Sequence, residues 1–451
     1  MKANTSKNIN KIFKLDISDI NYEGMGISNL NDKCVFVEGA IAGENVDCMI
    51  DFENKSFYRG HTIKVNKESK LRNKNVCEVY DKCGGCQLQH LQYEASLNYK
   101  KKAFINTMKR IGAIELDDVN IIAMDYPYKY RNKVQIPAAM INGKLEFGYF
   151  KKRSHDIIPF KTCMLESDEV NDVVHFIRNI LNELNIDAYN EELKTGIIRH
   201  LMIRENKNKE LMIVFVIRGN KFKGIDLVVN KLINRYKNIV SIIVNYNNQD
   251  NNVILGEKAE VVYGSDCLID EILGLKFKIS HYSFFQVNRI QTEKLYSKVL
   301  EYSKGSDIII DAYCGVGSIS LNLAKTAKHV YGIEVVSQAI DNANENMQLN
   351  NIKNASFILG KVEDKIFALL NEVKIDCLVI DPPRKGIDIK VIEAIKKANI
   401  KKIVYVSCNP SSLARDLSML HNDYEIKDIN LVDMFAYTTG LETVALLEKK
   451  N

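Results

Sequence analysis

Ten cysteines are the side chains of this sequence best suited to covalent or metal chemistry, at positions 34, 48, 77, 83, 86, 163, 267, 314, 377 and 408. Met1 to Asn10 is polar and lacks the apolar stretch of a secretion signal. A reducing compartment is therefore expected, with thiols or metal ligands rather than disulfides. Three cysteines form Cys77-x5-Cys83-Gly-Gly-Cys86, a compact spacing of metal-ligand type. Another ends the run Val404-Tyr-Val-Ser407-Cys408-Asn409-Pro410. A thiol there is a candidate nucleophile, although a lone cysteine is more often a small buried hydrophobe. A similar run, Val379-Ile-Asp381-Pro-Pro-Arg384-Lys-Gly386, sets a carboxylate before two prolines. These two loops hold three of the chain's six prolines, which stiffen a loop and end strand pairing.

A third run, Ile308-Ile-Ile-Asp311-Ala-Tyr313-Cys314-Gly315-Val316-Gly317, reads as a buried strand entering a glycine turn before a helix. It matches neither the dinucleotide fingerprint nor the phosphate loop. Glu334 lies 17 residues after Gly317, at the end of the next expected strand. An acid placed so suits ribose hydroxyls, and a nucleoside ligand is expected, with a nicotinamide dinucleotide still open.

Positioning these groups requires an alternating strand–helix segment. Strands are expected at 307–311, 329–333, 355–359, 377–380, 403–406 and 443–448, a doubly wound pattern. Upstream, short strands at 11–20, 34–37, 45–51 and 57–65, punctuated by glycines, predict a small OB-type barrel. The lysine-rich stretch 64–74 reads as a linker. A helix over about 91–111, with Gly112 as its C-cap, carries Lys100, Lys101, Lys102, Lys109 and Arg110 on its polar face. Residues 127–280 look strand-rich, with Asn142-Gly143 as a hairpin turn, a second hairpin at 198–218 and a helix at 168–184. Within 194–223, eight Lys/Arg face two Glu, making a candidate RNA surface. Three domains are expected: 1–67, 68–280 (with the helix 91–111 expected to pack on the third) and 281–451. The net charge of +5 does not by itself announce nucleic-acid binding. The longest apolar run, Leu211 to Ile217, is far too short to span a membrane.

Asp311-x-x-Cys-Gly-x-Gly, Asp381-Pro-Pro-Arg-Lys-Gly, Ser407-Cys-Asn-Pro and Phe284-Phe285-Gln286-Val287-Asn288 together resemble the S-adenosylmethionine-dependent RNA uracil-5-methyltransferases. The resemblance runs over nearly the whole chain. It implies a TRAM-type N-terminal barrel, a central strand-rich iron–sulfur domain and a C-terminal Rossmann-like doubly wound methyltransferase domain. Cys77, Cys83 and Cys86 with the distant Cys163 resemble the iron–sulfur site of the 23S ribosomal RNA members. Four thiolates hold either [4Fe–4S] or zinc, and the resemblance points to [4Fe–4S].

The same resemblance implies that Cys408 adds to uracil carbon 6 and that Glu442 later removes the carbon-5 proton. Gln286, Tyr313, Glu334 and Asp381 would contact S-adenosylmethionine, and Arg384 an RNA phosphate or a uracil oxygen. The family often has a proline and two histidines before the base, where this chain has Asp433-Met-Phe-Ala-Tyr437-Thr-Thr-Gly440-Leu-Glu442. The expected product is 5-methyluridine in 23S ribosomal RNA, made by a cytoplasmic monomer with no membrane partner. A transfer RNA uracil-5-methyltransferase is the rival enzyme; its relatives typically lack the barrel and the cluster. A noncatalytic RNA-binding assembly factor is the rival from another class. Of the other cysteines, Cys314 is expected to pack in the glycine turn, and Cys34, Cys48, Cys267 and Cys377 to be buried thiols.

Overall fold

The computed structural model describes residues 8–450, so most of the polar start read from Met1 to Asn10 lies outside it. The N-terminal strands are β1 (Ile12–Asp16), β2 (Asp19–Ile20), β3 (Gly26–Leu30), β4 (Lys33–Glu38), β5 (Asn45–Glu53) and β6 (Phe57–Lys67). They form one sheet in the order β1-β5-β6-β4-β3-β2. Alternation along β5 buries Val46, Cys48 and Ile50 against Leu15, Val35, Val37 and Tyr58. The single strand expected over 11–20 is divided into β1 and β2, and the expected linker begins inside β6. Arg72, in that same stretch, reaches back to Glu44 through its Nε at 2.5 Å. The stretch is thereby tied to the N-terminal sheet.

Helix α1 (Tyr93–Gly112) and β7 (Asn120–Ile122) come next. The C-cap is Ala113, which takes the left-handed conformation expected of Gly112. Gly112 serves packing instead. A Cβ there would stand 2.8 Å from the Ala414 carbonyl oxygen.

The central sheet comprises β8 (Lys133–Ile141), β9 (Lys144–Phe150), β10 (Ile157–Pro159), β11 (Ile198–Glu205), β12 (Leu211–Ile217), β13 (Ile239–Tyr246) and β14 (Lys258–Gly264), in the order β10-β9-β8-β11-β12-β13-β14. Both expected hairpins are present, β8–β9 across Asn142-Gly143 and β11–β12. Helices α2 (Asp168–Glu183) and α3 (Ile225–Arg235) share its core. The sequence reading omitted α3. The apolar run Leu211–Ile217 is β12, and all of it is buried.

The expected basic surface over 194–223 is reduced: Lys194, Lys207, Lys209, Lys221 and Lys223 are exposed, but several of its charges are paired or buried. Arg199 and Arg204 are buried, and Arg204 donates to the Ser283 carbonyl. Lys194 and Arg218 pair with Asp250, Lys207 with Glu271, Lys209 with Glu205 and Arg199 with Glu191. Three carboxylates from outside the window, Asp250, Glu271 and Glu191, offset about half of the net charge counted within it.

A hairpin of β15 (Cys267–Ile272) and β16 (Leu275–Ser280) leads into the C-terminal unit. That unit contains α4 (Arg289–Ser303), β17 (Ile308–Ala312), α5 (Ser318–Leu323), β18 (His329–Glu334), α6 (Ser337–Leu349), β19 (Ala355–Leu359), α7 (Val362–Glu372), β20 (Cys377–Ile380), α8 (Ile389–Ala398), β21 (Lys402–Ser407), α9 (Pro410–Leu420), β22 (Tyr424–Val432) and β23 (Glu442–Lys449). Its sheet order is β19-β18-β17-β20-β21-β23-β22-β7. Strands β17 to β21 pair in parallel, and β20 is buried on both faces, as a central parallel strand requires. Strand β22, also omitted from the sequence reading, pairs with β23 antiparallel and with β7 in parallel. Residues 93–122 therefore belong spatially with this unit, since α1 packs on α9 and β7 extends the sheet. Among the described residues, no helix is long and apolar enough to cross a membrane.

Candidate active site and cysteine-lined cavity

Parallel strands deliver their carboxyl ends to one edge of the sheet, and the chemistry-bearing residues lie just past those ends. Asp311 is in β17, Glu334 ends β18, Asp381 follows β20 and Cys408 follows β21. Strand β23 runs the other way, so its first residue, Glu442, reaches the same edge. The register Ser407↔Thr443 sets Cys408 beside Glu442.

The glycine turn after β17 is fixed by Tyr313 at φ 67°, Gly315 at 55° and Gly317 at 79°. Gly317 has a second constraint: a Cβ would lie 2.9 Å from the Phe357 ring. Glu334 accepts from the Gly315 amide at 3.1 Å and from the Val335 and Val336 amides at 2.8 and 2.9 Å. One acid thus spans the turn after β17 and the entry to α6. Val335 and Val336 leave their side chains exposed beside it.

Electrostatics couple the groups at this edge. Burial pushes the Cys408 thiol up, the charges of Glu442 and Asp381 add to that, and Arg384 opposes it. Glu442 is 3% exposed, and burial with Asp381 beside it raises its carboxyl well above the usual range, against Arg384. Burial raises Asp381 to about 6. Asp311 is raised to about 7, first by burial, with the Ser320 hydroxyl it accepts from acting the other way. Tyr296 feels Asp381, Asp311 and Glu442 together and shares a 2.8 Å hydrogen bond with Ser318. The arrangement holds several carboxyls and a thiol close together in a poorly hydrated place, with Arg384, an exposed side chain, as the nearby cation. Raised carboxyls beside a thiol are groups suited to proton transfer.

Gln286 is buried, and its carbonyl accepts from Asn132 Nδ2 at 3.1 Å, joining the catalytic unit to the start of β8. Tyr313 is half-buried in the glycine turn. Asp311 and Tyr296 escaped selection as site residues. Asp311 had a signal, being the acid that closes an apolar strand before a glycine turn. Tyr296 had none, because only the fold of α4 brings it to the edge.

A second convergence lies in the central region. Cys77, Cys83, Cys86 and Cys163 line one cavity of about 100 Å³, together with Gln89, Arg131, Tyr149 and Phe160. Burial raises all four thiols, Cys86 to about 12. Two buried donors at this cavity, Arg131 Nε and Gln89 Nε2, have no hydrogen-bond partner in the protein. Among the described residues, no three His, Cys, Asp or Glu side chains form a group that could hold a metal ion. Of the remaining cysteines, Cys48, Cys314 and Cys377 are buried, whereas Cys34 and Cys267, expected to be buried, are only half so.

Residues 258–450 match the family model described as tRNA (Uracil-5-)-methyltransferase. An uncharacterized RNA methyltransferase of Clostridium tetani is 40% identical over 99% of this chain and 98% of its own. One from Staphylococcus epidermidis is 42% identical over 96% of each chain. Among solved structures, the Pyrococcus abyssi tRNA (uracil-54, C5)-methyltransferase, in complex with S-adenosyl-L-homocysteine, is 27% identical. It superposes with a TM-score of 0.79 over 96% of this chain and 99% of that one.

Proposed function

The chain belongs to the S-adenosylmethionine-dependent RNA uracil-5-methyltransferases, and we propose that it methylates carbon 5 of a uridine in 23S ribosomal RNA through a covalent Cys408 adduct. The observation that carries this reading is the meeting of Cys408, Glu442 and Asp381 at one sheet edge.

Carbon 5 of uracil is a weak nucleophile. Addition of the Cys408 thiolate to carbon 6 moves the ring's electron pair toward carbon 5 and makes it nucleophilic. S-adenosylmethionine, when bound, supplies an electrophilic methyl group to that carbon. Glu442 then takes the carbon-5 proton, the C5–H pair forms the C5=C6 bond, and the C6–S bond breaks to return a thiolate to Cys408. Glu334 would hold the donor's ribose, Tyr313 would pack on the donor, Gln286 would contact it, and Asp381 would link the donor and uracil sites. A uridine in a structured RNA must be splayed out or flipped to reach Cys408.

The cysteine-lined cavity supports a [4Fe–4S] cluster. Four cysteines line one cavity of about 100 Å³, and the resemblance to iron–sulfur members favours a cluster over a single zinc ion there. The unpartnered Arg131 and Gln89 donors are complementary to an anionic cluster. Anaerobic purification should give iron and acid-labile sulfide in equal amounts. Cys86→Ser should lose both, and zinc in their place would reject the cluster.

Transfer RNA is the second reading, favoured by the full-length match to a tRNA (uracil-54, C5)-methyltransferase. That match spans the N-terminal module, so the presence of such a module no longer counts against transfer RNA. Incubation with labelled methyl donor and unmodified 23S ribosomal and transfer RNA transcripts, followed by mapping, decides between them. 5-Methyluridine in the ribosomal transcript is the expected result; label only in transfer RNA establishes the second reading.

A further inference from the structure

The segment Asp433–Gly440, just before Glu442, is tied at both ends by one buried ammonium. Lys100 Nζ donates to Asp433 Oδ1 at 2.5 Å, to the Phe435 carbonyl at 3.0 Å and to the Gly440 carbonyl at 2.8 Å. A lysine has three N–H donors, and all three are used on this segment. Asp433 Oδ2 accepts from the Tyr93 hydroxyl at 2.7 Å, and that hydroxyl accepts from the Met124 amide at 2.8 Å. The side chains of Lys100 and Asp433 are 1% and 0% exposed.

Lys100 was expected on the polar face of α1. Its spacing places it elsewhere: Leu97, Lys100, Phe104 and Met108 follow one another at helical intervals and are all buried. A lysine is the only charged member of that stripe. Stability alone does not call for it, because well-packed apolar residues commonly match or exceed a buried ion pair. What an apolar pair could not do is donate to the carbonyls of Phe435 and Gly440. The second of these is two residues from Glu442. The tip of the segment is held independently, since the Gln87 and Leu88 amides donate to the Tyr437 carbonyl at 3.1 and 2.9 Å.

We propose that Lys100 is a positioning residue for Glu442. By drawing Asp433 and Gly440 onto one ammonium, it fixes the start of β23 and so the place from which the Glu442 carboxylate meets the carbon-5 proton. This rests on the assignment of Glu442 as the base. Lys100 is buried and its donors are all used on this segment, so its loss should leave Cys408 addition and methyl transfer intact and slow only the release of the adduct.

The test uses the full-length protein with unmodified 23S ribosomal and transfer RNA transcripts together. Lys100→Met alone strands the Asp433 charge, so Lys100→Met/Asp433→Asn, which removes both charges, is the informative variant. Rates of adduct formation and of adduct release are measured separately in single turnover, beside melting temperature and hydrogen exchange over 435–442. The expected result is adduct formation within about threefold of the unmodified protein, release slowed about tenfold or more, and faster exchange over 435–442. Lys100→Arg, which keeps the charge and donors, should recover part of the release rate. A folded double variant that releases its adduct at the normal rate overturns the proposal, as does one that does not fold, which makes the pair structural only. Glu442→Gln is run in parallel. If it turns over normally, the base assignment fails and takes the proposal with it; if it traps adduct while the double variant does not, the Lys100 proposal fails alone.

Discussion

Cys408→Ala is expected to abolish methylation while leaving RNA binding in place. Removing the attacking atom of a covalent mechanism costs about 10⁴-fold or more in kcat, because no neighbouring group replaces it. The charged neighbours of the thiol are Glu442, Asp381 and Arg384, none of which can take over as a carbon-6 nucleophile that also departs easily. Binding should survive because the half-buried thiol offers little contact area. Methyl transfer and RNA retention are measured on the same preparation. Activity close to that of the unmodified protein would remove Cys408 from the mechanism. The pH profile adds a second check. Burial and two nearby acids raise the thiol, so the thiolate fraction at neutral pH is small, and adduct formation should rise as pH increases towards that raised value.

Glu442→Gln is expected to trap the methylated RNA on the protein. Glutamine keeps the shape and cannot take the carbon-5 proton, so the reaction runs through methyl transfer and stops before the C6–S bond breaks. The loss in turnover should be about 10²- to 10⁴-fold, the usual worth of a positioned base. A band surviving denaturing electrophoresis, carrying both RNA and labelled methyl, reports the trapped species. Rapid turnover without such a band would remove Glu442 as the base. Burial makes the sign of the pH effect clear. Burial and the neighbouring Asp381 raise the carboxyl well above its ordinary range, so it keeps its proton to a higher pH than an exposed glutamate would. Adduct release in the unmodified protein should therefore slow as pH falls through that raised value. In Glu442→Gln this limb of the profile should be absent.

Much of the site was legible because its residues sit at strand ends marked by strong local chemistry. Asp381 before two prolines, Cys408 before Asn-Pro and the glycine turn after Asp311 each punctuate an apolar run that can only be a buried strand. Their order along the chain implied that they share one sheet edge, and the parallel register of β17, β20 and β21 is that arrangement. The cysteines were less complete as a local signal. Cys77, Cys83 and Cys86 announce themselves by spacing, whereas Cys163 joined them only through resemblance, and only the fold brings it to the same cavity.

What local reading misjudged shares one cause, the arrival of distant partners. The Lys/Arg-rich stretch 194–223 looked more basic than it is because Asp250 and Glu271 lie outside it in sequence and against it in space. Gly112 looked like a cap because glycine usually is one, but its real constraint is the Ala414 carbonyl on α9.

Residue types and their spacing were enough to set out the groups available for chemistry, a thiol and several carboxyls at the ends of buried strands, because strand and turn signals are local. Only the tertiary structure decided how that chemistry is held. The antiparallel return of β23 brings Glu442 to Cys408, and Lys100, more than 330 residues earlier in the chain, fastens the approach to it. Desolvation supplies the physical reason. The thiol and carboxyls are moved from their ordinary ionisation by what surrounds them, and those surroundings are assembled from segments that meet only when the chain folds.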